Sequence, residues 1–180
     1  MVRQWTRAGL AIVLAGCALL PASSVVRRTS PDVDAETTRQ LTAAASTLLE
    51  RRSQALVQQR HHDRSSPTEI LGVRISPRVA HVQERAVREL ETRNRAPVEG
   101  GPAYTGARTR LDGGKATRTG DRITLEAVEH TEVRYDSGKL TQLVRRRFEF
   151  RTRGEQITLI GERVLDPAAR PVNDPDLPTR

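Results

Sequence analysis

The chain predicts an α+β fold: N-terminal helices packed on one face of a curved antiparallel sheet, between a signal peptide and a Pro-rich tail. Three observations predict it. Apolar residues recur at helical spacing in two segments before residue 97. They alternate with period two from about residue 104 to 165. The pattern then stops at Pro167, Pro171, Pro175 and Pro178. The resulting organisation is a signal peptide over residues 1–24, a linker over 25–32, one α+β domain over 33–166 and a tail over 167–180.

The N-terminal segment is an export address. Arg3 and Arg7 precede an apolar run over residues 8–20, and Pro21-Ala22-Ser23-Ser24 supplies the small residues a signal peptidase needs. That run is shorter than the roughly 20 residues a spanning helix takes. Leu14-Ala15-Gly16-Cys17 has the form of a bacterial lipobox, in which Cys17 is lipidated. Ala18-Leu19-Leu20 continues the apolar run, so a second fate is open: cleavage after Ala22 or Ser24 discards the cysteine. Both fates take the protein out of the cytoplasm, to the exterior or the envelope; only the first leaves a membrane contact, the lipid on Cys17.

Ser30-Pro31-Asp32 reads as a helix start, followed by Leu41, Ala45, Leu48, Leu49 and Leu56 on one face, a helix over about 33–58. Residues 60–67 are a polar loop. Ser76-Pro77 starts a second helix carrying Val79, Val82, Ala86 and Leu90, which ends before Pro97. Strands follow over 104–111 and 115–119, then one with Ile123, Leu125, Ala127, Val133 and Tyr135 on a single face. Asp136-Ser137-Gly138-Lys139 turns into a strand marked by Val144, Phe148 and Phe150. Arg153-Gly154-Glu155 leads to the last strand, marked by Ile157, Leu159 and Leu165.

Composition narrows the function classes. The net charge is +8, with 30 Lys+Arg against 22 Asp+Glu. Only Lys115 and Lys139 are lysines, a bias that GC-rich coding produces without selection for phosphate binding. Aromatics make up 3 % of the chain, too few for base stacking, and Arg145-Arg146-Arg147 splits its charge between two strand faces, so no nucleic acid is expected. One cysteine excludes a disulfide framework. Gly100-Gly101 and Gly113-Gly114 are turn glycines rather than a phosphate loop, and no cofactor is expected. His61-His62-Asp63 lacks a third ligand at metal-site spacing, so no metal is expected.

Two helices followed by a meander of long strands resembles the cone-shaped fold of nuclear-transport-factor-2-like domains, which include SnoaL-like cyclases and ketosteroid isomerase. Ala127-Val128-Glu129-His130-Thr131-Glu132-Val133-Arg134-Tyr135 is similar to a strand in the N-terminal domains of secreted actinobacterial amidase-domain proteins. The resemblance covers about residues 33–172. Gln156-Ile157 stands where those relatives have a Trp, and the chain stops where they continue into the amidase domain, so no catalytic residue carries over. The resemblance implies a non-catalytic accessory or binding module at the cell envelope; an envelope protein, or a small acidic ligand at a polar row of the sheet, is the expected partner. A homodimer is left open.

Parity locates a candidate site. Apolar side chains take odd numbers in the 123–135 strand and even numbers in the 144–150 strand. Pairing Asp136 with Lys139 places Leu125 opposite Phe150, Ala127 opposite Phe148 and Glu129 opposite Arg146. Pairing Arg153 with Gln156 places Arg163 beside Arg146 and Gly161 beside Phe148. Glu129, Arg146 and Arg163 then form a polar row on an apolar face. Glu129 neutralises one arginine and leaves the other for an anion. The competing account puts the row at a solvated rim. An enzyme with Glu129 as base and Tyr135 as hydrogen-bond donor is the alternative function. His130 alternates onto the opposite face from Glu129. Binding of anionic wall polymers by general basicity is a third reading.

Overall fold

The computed structural model describes residues 32–57, 66–93, 95–96 and 101–175. The first helix, α1, spans Ala35–Ala55 and is capped by Asp34, whose carboxylate accepts from the Thr37 N–H at 2.8 Å. The start is therefore later than the Ser30-Pro31-Asp32 signal suggested; Asp32 instead forms a bridge with Thr117 at the sheet. A short hairpin follows, β1 (Glu69–Ile70) and β2 (Val73–Ile75), turned by Leu71 and Gly72 with φ of 50° and 77°. Two successive left-handed residues match the twist of a tight hairpin. Helix α2 (Pro77–Thr92) begins as expected, with Ser76 accepting from the Val79 N–H and Pro77 in the first turn.

Four long strands complete the sheet: β3 (Gly106–Thr119), β4 (Arg122–Tyr135), β5 (Gly138–Arg153) and β6 (Gln156–Val164). The two strands expected before residue 119 are one, interrupted by a register shift between Asp112 and Lys115. The six strands form one sheet in the order β1-β2-β6-β5-β4-β3. It is mixed rather than purely antiparallel, because β2 pairs parallel to β6. The sheet curls and the two helices pack on it. The chain between Ile75 and Gln156 explains that crossover: α2 and the long meander carry it away before β6 returns to the β2 edge.

The interior is layered. One apolar cluster joins Leu41, Leu48 and Leu49 of α1 to Leu125, Phe148 and Phe150 of the sheet. A second joins Leu56, Val87, Leu90, Tyr104 and Val133, with the Tyr104 and Tyr135 rings 5.4 Å apart. Between them both helices and three of the long strands contribute polar residues to the inner face: Arg52 and Ser53 from α1, Gln83 from α2, Thr109 from β3, Glu129 and Thr131 from β4, and Arg146 from β5.

Gly114 sits where β3 meets α1. A Cβ there would lie 2.7 Å from both Leu125 Cδ1 and Thr42 Oγ1. Gly114→Ala is expected to destabilise the fold by about 1–3 kcal/mol, the usual range for overpacking, read by urea unfolding.

Candidate functional site

The β4–β5 hairpin turns one step earlier than the sequence suggests. Tyr135 pairs with Gly138, leaving Asp136-Ser137 as the two-residue loop. Leu125 therefore faces Phe148, Ala127 faces Arg146 and Glu129 faces Val144. The slip is by two residues, so every side chain keeps its face. Glu129 and Arg146 become diagonal rather than direct neighbours, and a long arginine spans that separation. Arg146 Nε donates to Glu129 Oε2 at 2.5 Å, with the side chains 1 % and 0 % exposed. The expected pair is present, but inside the protein and not at a solvated rim.

Arg163 does not join it. The β5–β6 pairing runs as expected through Phe150 and Leu159, then shifts so that Glu149 faces Gly161. Ile160 is the extra residue of this bulge. A one-residue insertion reverses the faces beyond it, so Phe148 faces Glu162 and Arg163 stands beside Arg147 on the outer surface. The corrected partner of Arg146 across the site is Arg52. Its Nε donates to Gln83 Oε1 at 2.7 Å, its Nη1 to Asp174 Oδ1 at 2.7 Å and its Nη2 to Glu162. The sequence carried a signal for it, since Arg52 lies between Leu48 and Leu56 on the apolar stripe of α1.

The segment after β6 closes the site. Residues 167–180 read as a free tail, yet the described part packs against the domain, with Pro171 and Asn173 buried. Asn173 Nδ2 donates to Glu129 Oε1 at 2.7 Å and to Ser53 Oγ at 3.1 Å. Thr131 Oγ1 donates to the same Glu129 oxygen at 3.2 Å. Asp174 Oδ1 lies 3.0 Å from Arg146 Nη2, a close ion pair. Burial opposes the Arg146 charge, but Glu129, Asp174 and Glu162 outweigh it and raise its pKa above the ordinary arginine value.

Both Glu129 oxygens are thus occupied by donors, and the carboxylate is sealed from solvent. Tyr135 stands at the far end of β4 against Tyr104. His130 faces outward, as alternation required, with Nε2 3.1 Å from Asp112 Oδ2. Its neighbour Glu132 is held below the usual carboxylate range by hydrogen bonds from Lys139 and Arg134. No group of three metal-ligating side chains occurs among the described residues. Cys17 and His61-His62-Asp63 lie outside the described residues.

The outer surface of the sheet offers a different site. A cleft of about 610 Å³ opens where β2, β5, β6 and the start of α2 meet. Arg74, Arg151 and Arg153 line it, with Glu69 as its one carboxylate and Thr68, Ser76, Gln156 and Thr158 as neutral polar groups. Arg151 Nε is 3.6 Å from Asp121 Oδ2. Arg74 and Arg153 form no ion pair among the described residues. Ile160, the bulge residue, also borders a hollow of about 230 Å³ lined by Arg78, Glu149, Glu162 and Arg163.

Removing one partner of the inner pair strands a buried charge. Arg146→Met and Glu129→Leu are each expected to cost about 3–5 kcal/mol in urea unfolding. The double variant is expected to cost less than the sum of the two; simple additivity would show that the pair is not coupled.

No protein-family model matches the chain, and no curated protein matches it. Among solved structures it is similar to Bdellovibrio bacteriovorus Bd1075, at 9 % identity and a TM-score of 0.42, over 72 % of this chain and 40 % of that one. It is also similar to the intermembrane space region of the chloroplast protein ARC6, at 14 % identity and a TM-score of 0.43, over 75 % of this chain and 98 % of that one.

Proposed function

We propose that this protein is an exported, non-catalytic binding module of the cell envelope that holds a small anionic ligand in its outer cleft. The observation that carries the reading is the meeting of Arg74, Arg151 and Arg153 around one concave surface with a single carboxylate, Glu69. Guanidinium groups present planar forks that match carboxylate and phosphate oxygens. A cleft of about 610 Å³ is within the size range of small-ligand sites. The sealed Glu129 carboxylate supports the non-catalytic reading over acid–base chemistry, because a general base must reach the proton it abstracts. The proposal includes the nuclear-transport-factor-2-like relationship, with which two helices on a curled sheet are compatible.

Export rests on the sequence of residues 1–24. No helix among the described residues is long and apolar enough to cross a membrane. In an actinobacterial host the full chain is expected in the extracytoplasmic fraction. Loss of membrane retention in Cys17→Ser would identify a lipid anchor, whereas secretion unaffected by that change would identify cleavage after Ala22 or Ser24. Retention of the unprocessed chain in the cytoplasm would overturn the export reading.

The cleft is tested by calorimetric titration of the folded protein with inorganic phosphate and with carboxylated peptidoglycan fragments. Binding that falls at least tenfold in Arg74→Ala/Arg153→Ala, and weakens as salt rises, is expected. Equal binding in the double variant, or none in the parent, would refute the assignment.

A further inference from the structure

The inner polar layer contains an anomaly that the outer cleft does not explain. Gln83 Nε2, Glu162 Oε2 and Asn173 Oδ1 are buried and lack a hydrogen-bond partner among the described residues, beside Arg146 Nη2, whose neighbour is Asp174. Buried polar groups are ordinarily satisfied, and three unsatisfied ones in a single layer mark a site whose present filling fits imperfectly. That filling is the segment after β6. Asp174 places one carboxylate oxygen between two guanidinium groups, 2.7 Å from Arg52 Nη1 and 3.0 Å from Arg146 Nη2. Arg52, Arg146 and Gln83 are 2 %, 1 % and 2 % exposed, so the walls belong to the core, whereas the Asp174 side chain is 23 % exposed.

We propose that residues 166–175 form a displaceable plug, and that the Arg52–Arg146 pair beneath it is a carboxylate-binding site whose ligand position Asp174 occupies. The segment belongs to no strand or helix. Among the described residues it is held by the Gln142 side chain, which bonds the Arg170 carbonyl and the Val172 N–H, by Arg93 on the Asp174 carbonyl, by Val172 packed on the second apolar cluster with Pro171 buried beside it, and by the contacts of Asn173 and Asp174 in the layer. Its departure removes none of the sheet's ladder bonds. The two arginines then keep Glu129 and Glu162 as partners, so the open site is not left with an uncompensated charge. The groups exposed when the plug leaves define what enters. Arg146 Nη2, freed of Asp174, and Gln83 Nε2 donate, whereas Glu162 Oε2 only accepts. A carboxylate with an N–H beside it satisfies both kinds, as at the C-terminus of a peptide or in an N-acylated amino acid.

The plug lowers the apparent affinity by the fraction of molecules that are open. The test uses the full folded chain and N-acetylglycine, with N-acetylglycinamide as the carboxylate-free control. Asp174→Asn keeps the shape of the plug but removes its charge. N-acetylglycine is expected to bind this variant at least tenfold more tightly than the parent, and N-acetylglycinamide to bind neither. In the parent, saturating N-acetylglycine is expected to speed hydrogen exchange at the Val172 and Asp174 amides while the β4 and β5 amides stay protected. Equal affinity for parent and Asp174→Asn would overturn the proposal. So would Val172 and Asp174 amides that exchange only with global unfolding, a measurement that decides the matter even if Asp174→Asn does not fold. Binding abolished by Arg74→Ala/Arg153→Ala would place the ligand in the outer cleft and would equally overturn it.

Discussion

The buried ion pair between Arg146 and Glu129 is the constraint around which the interior is arranged. Two charges removed from water are costly unless the geometry is close and the remaining donors and acceptors are used. Each neighbouring element answers that demand at the same level of the core. Helix α1 supplies Arg52 and Ser53, α2 supplies Gln83, β3 supplies Thr109 and β4 supplies Thr131. Ser53, Thr109 and Thr131 link their hydroxyls at 2.5 and 2.9 Å, and Asn173 ties that chain to Glu129. Apolar clusters pack on both sides of the layer. Helices and sheet are thereby held in one relative register, since a shift of any element would strand a polar group in an apolar cluster.

The bulge at Ile160 is the second decisive feature, and it acts through the first. Without it, Arg163 would point into the layer, which already contains Arg52 and Arg146. With it, Glu162 points inward and pairs with Arg52, while Arg163 goes to the surface. One inserted residue therefore exchanges a buried cation for a buried anion. It also shapes the outer surface, because Ile160 borders both the arginine-lined cleft and the hollow that contains Arg163.

The two faces of the sheet use arginine differently. Inside, each guanidinium is matched to carboxylates, and the charge serves geometry and specificity. Outside, Arg147 is paired with Glu126 at 2.9 Å, but Arg74 and Arg153 at the β2–β5–β6 end stand without ion partners among the described residues. The net charge of +8 is thus unevenly expressed. Solvated unpaired guanidinium groups in a concavity attract anions at little structural cost, whereas the inner pair is reached only if the segment over it moves.

Much of the fold was legible because local pattern is carried by adjacent residues. Ser76-Pro77 marked the start of α2, period-two alternation marked β4, β5 and β6, and parity put Glu129 and Arg146 on one face even though the hairpin register was two residues off. The β1–β2 hairpin was not legible, since strands of two and three residues are too short to show alternation. Residues 167–175 read as a free tail because their prolines exclude regular structure, while their docking depends on Asn173 and Asp174 meeting residues far away in the chain. By itself, then, the sequence determined the α+β class, the long strands and which face most side chains take, because these follow from backbone periodicity. Only the tertiary structure decided that Arg52 and not Arg163 stands beside Arg146, and that Asp174 closes the layer, because a bulge and a buried charge are placed by the packing of elements remote in sequence.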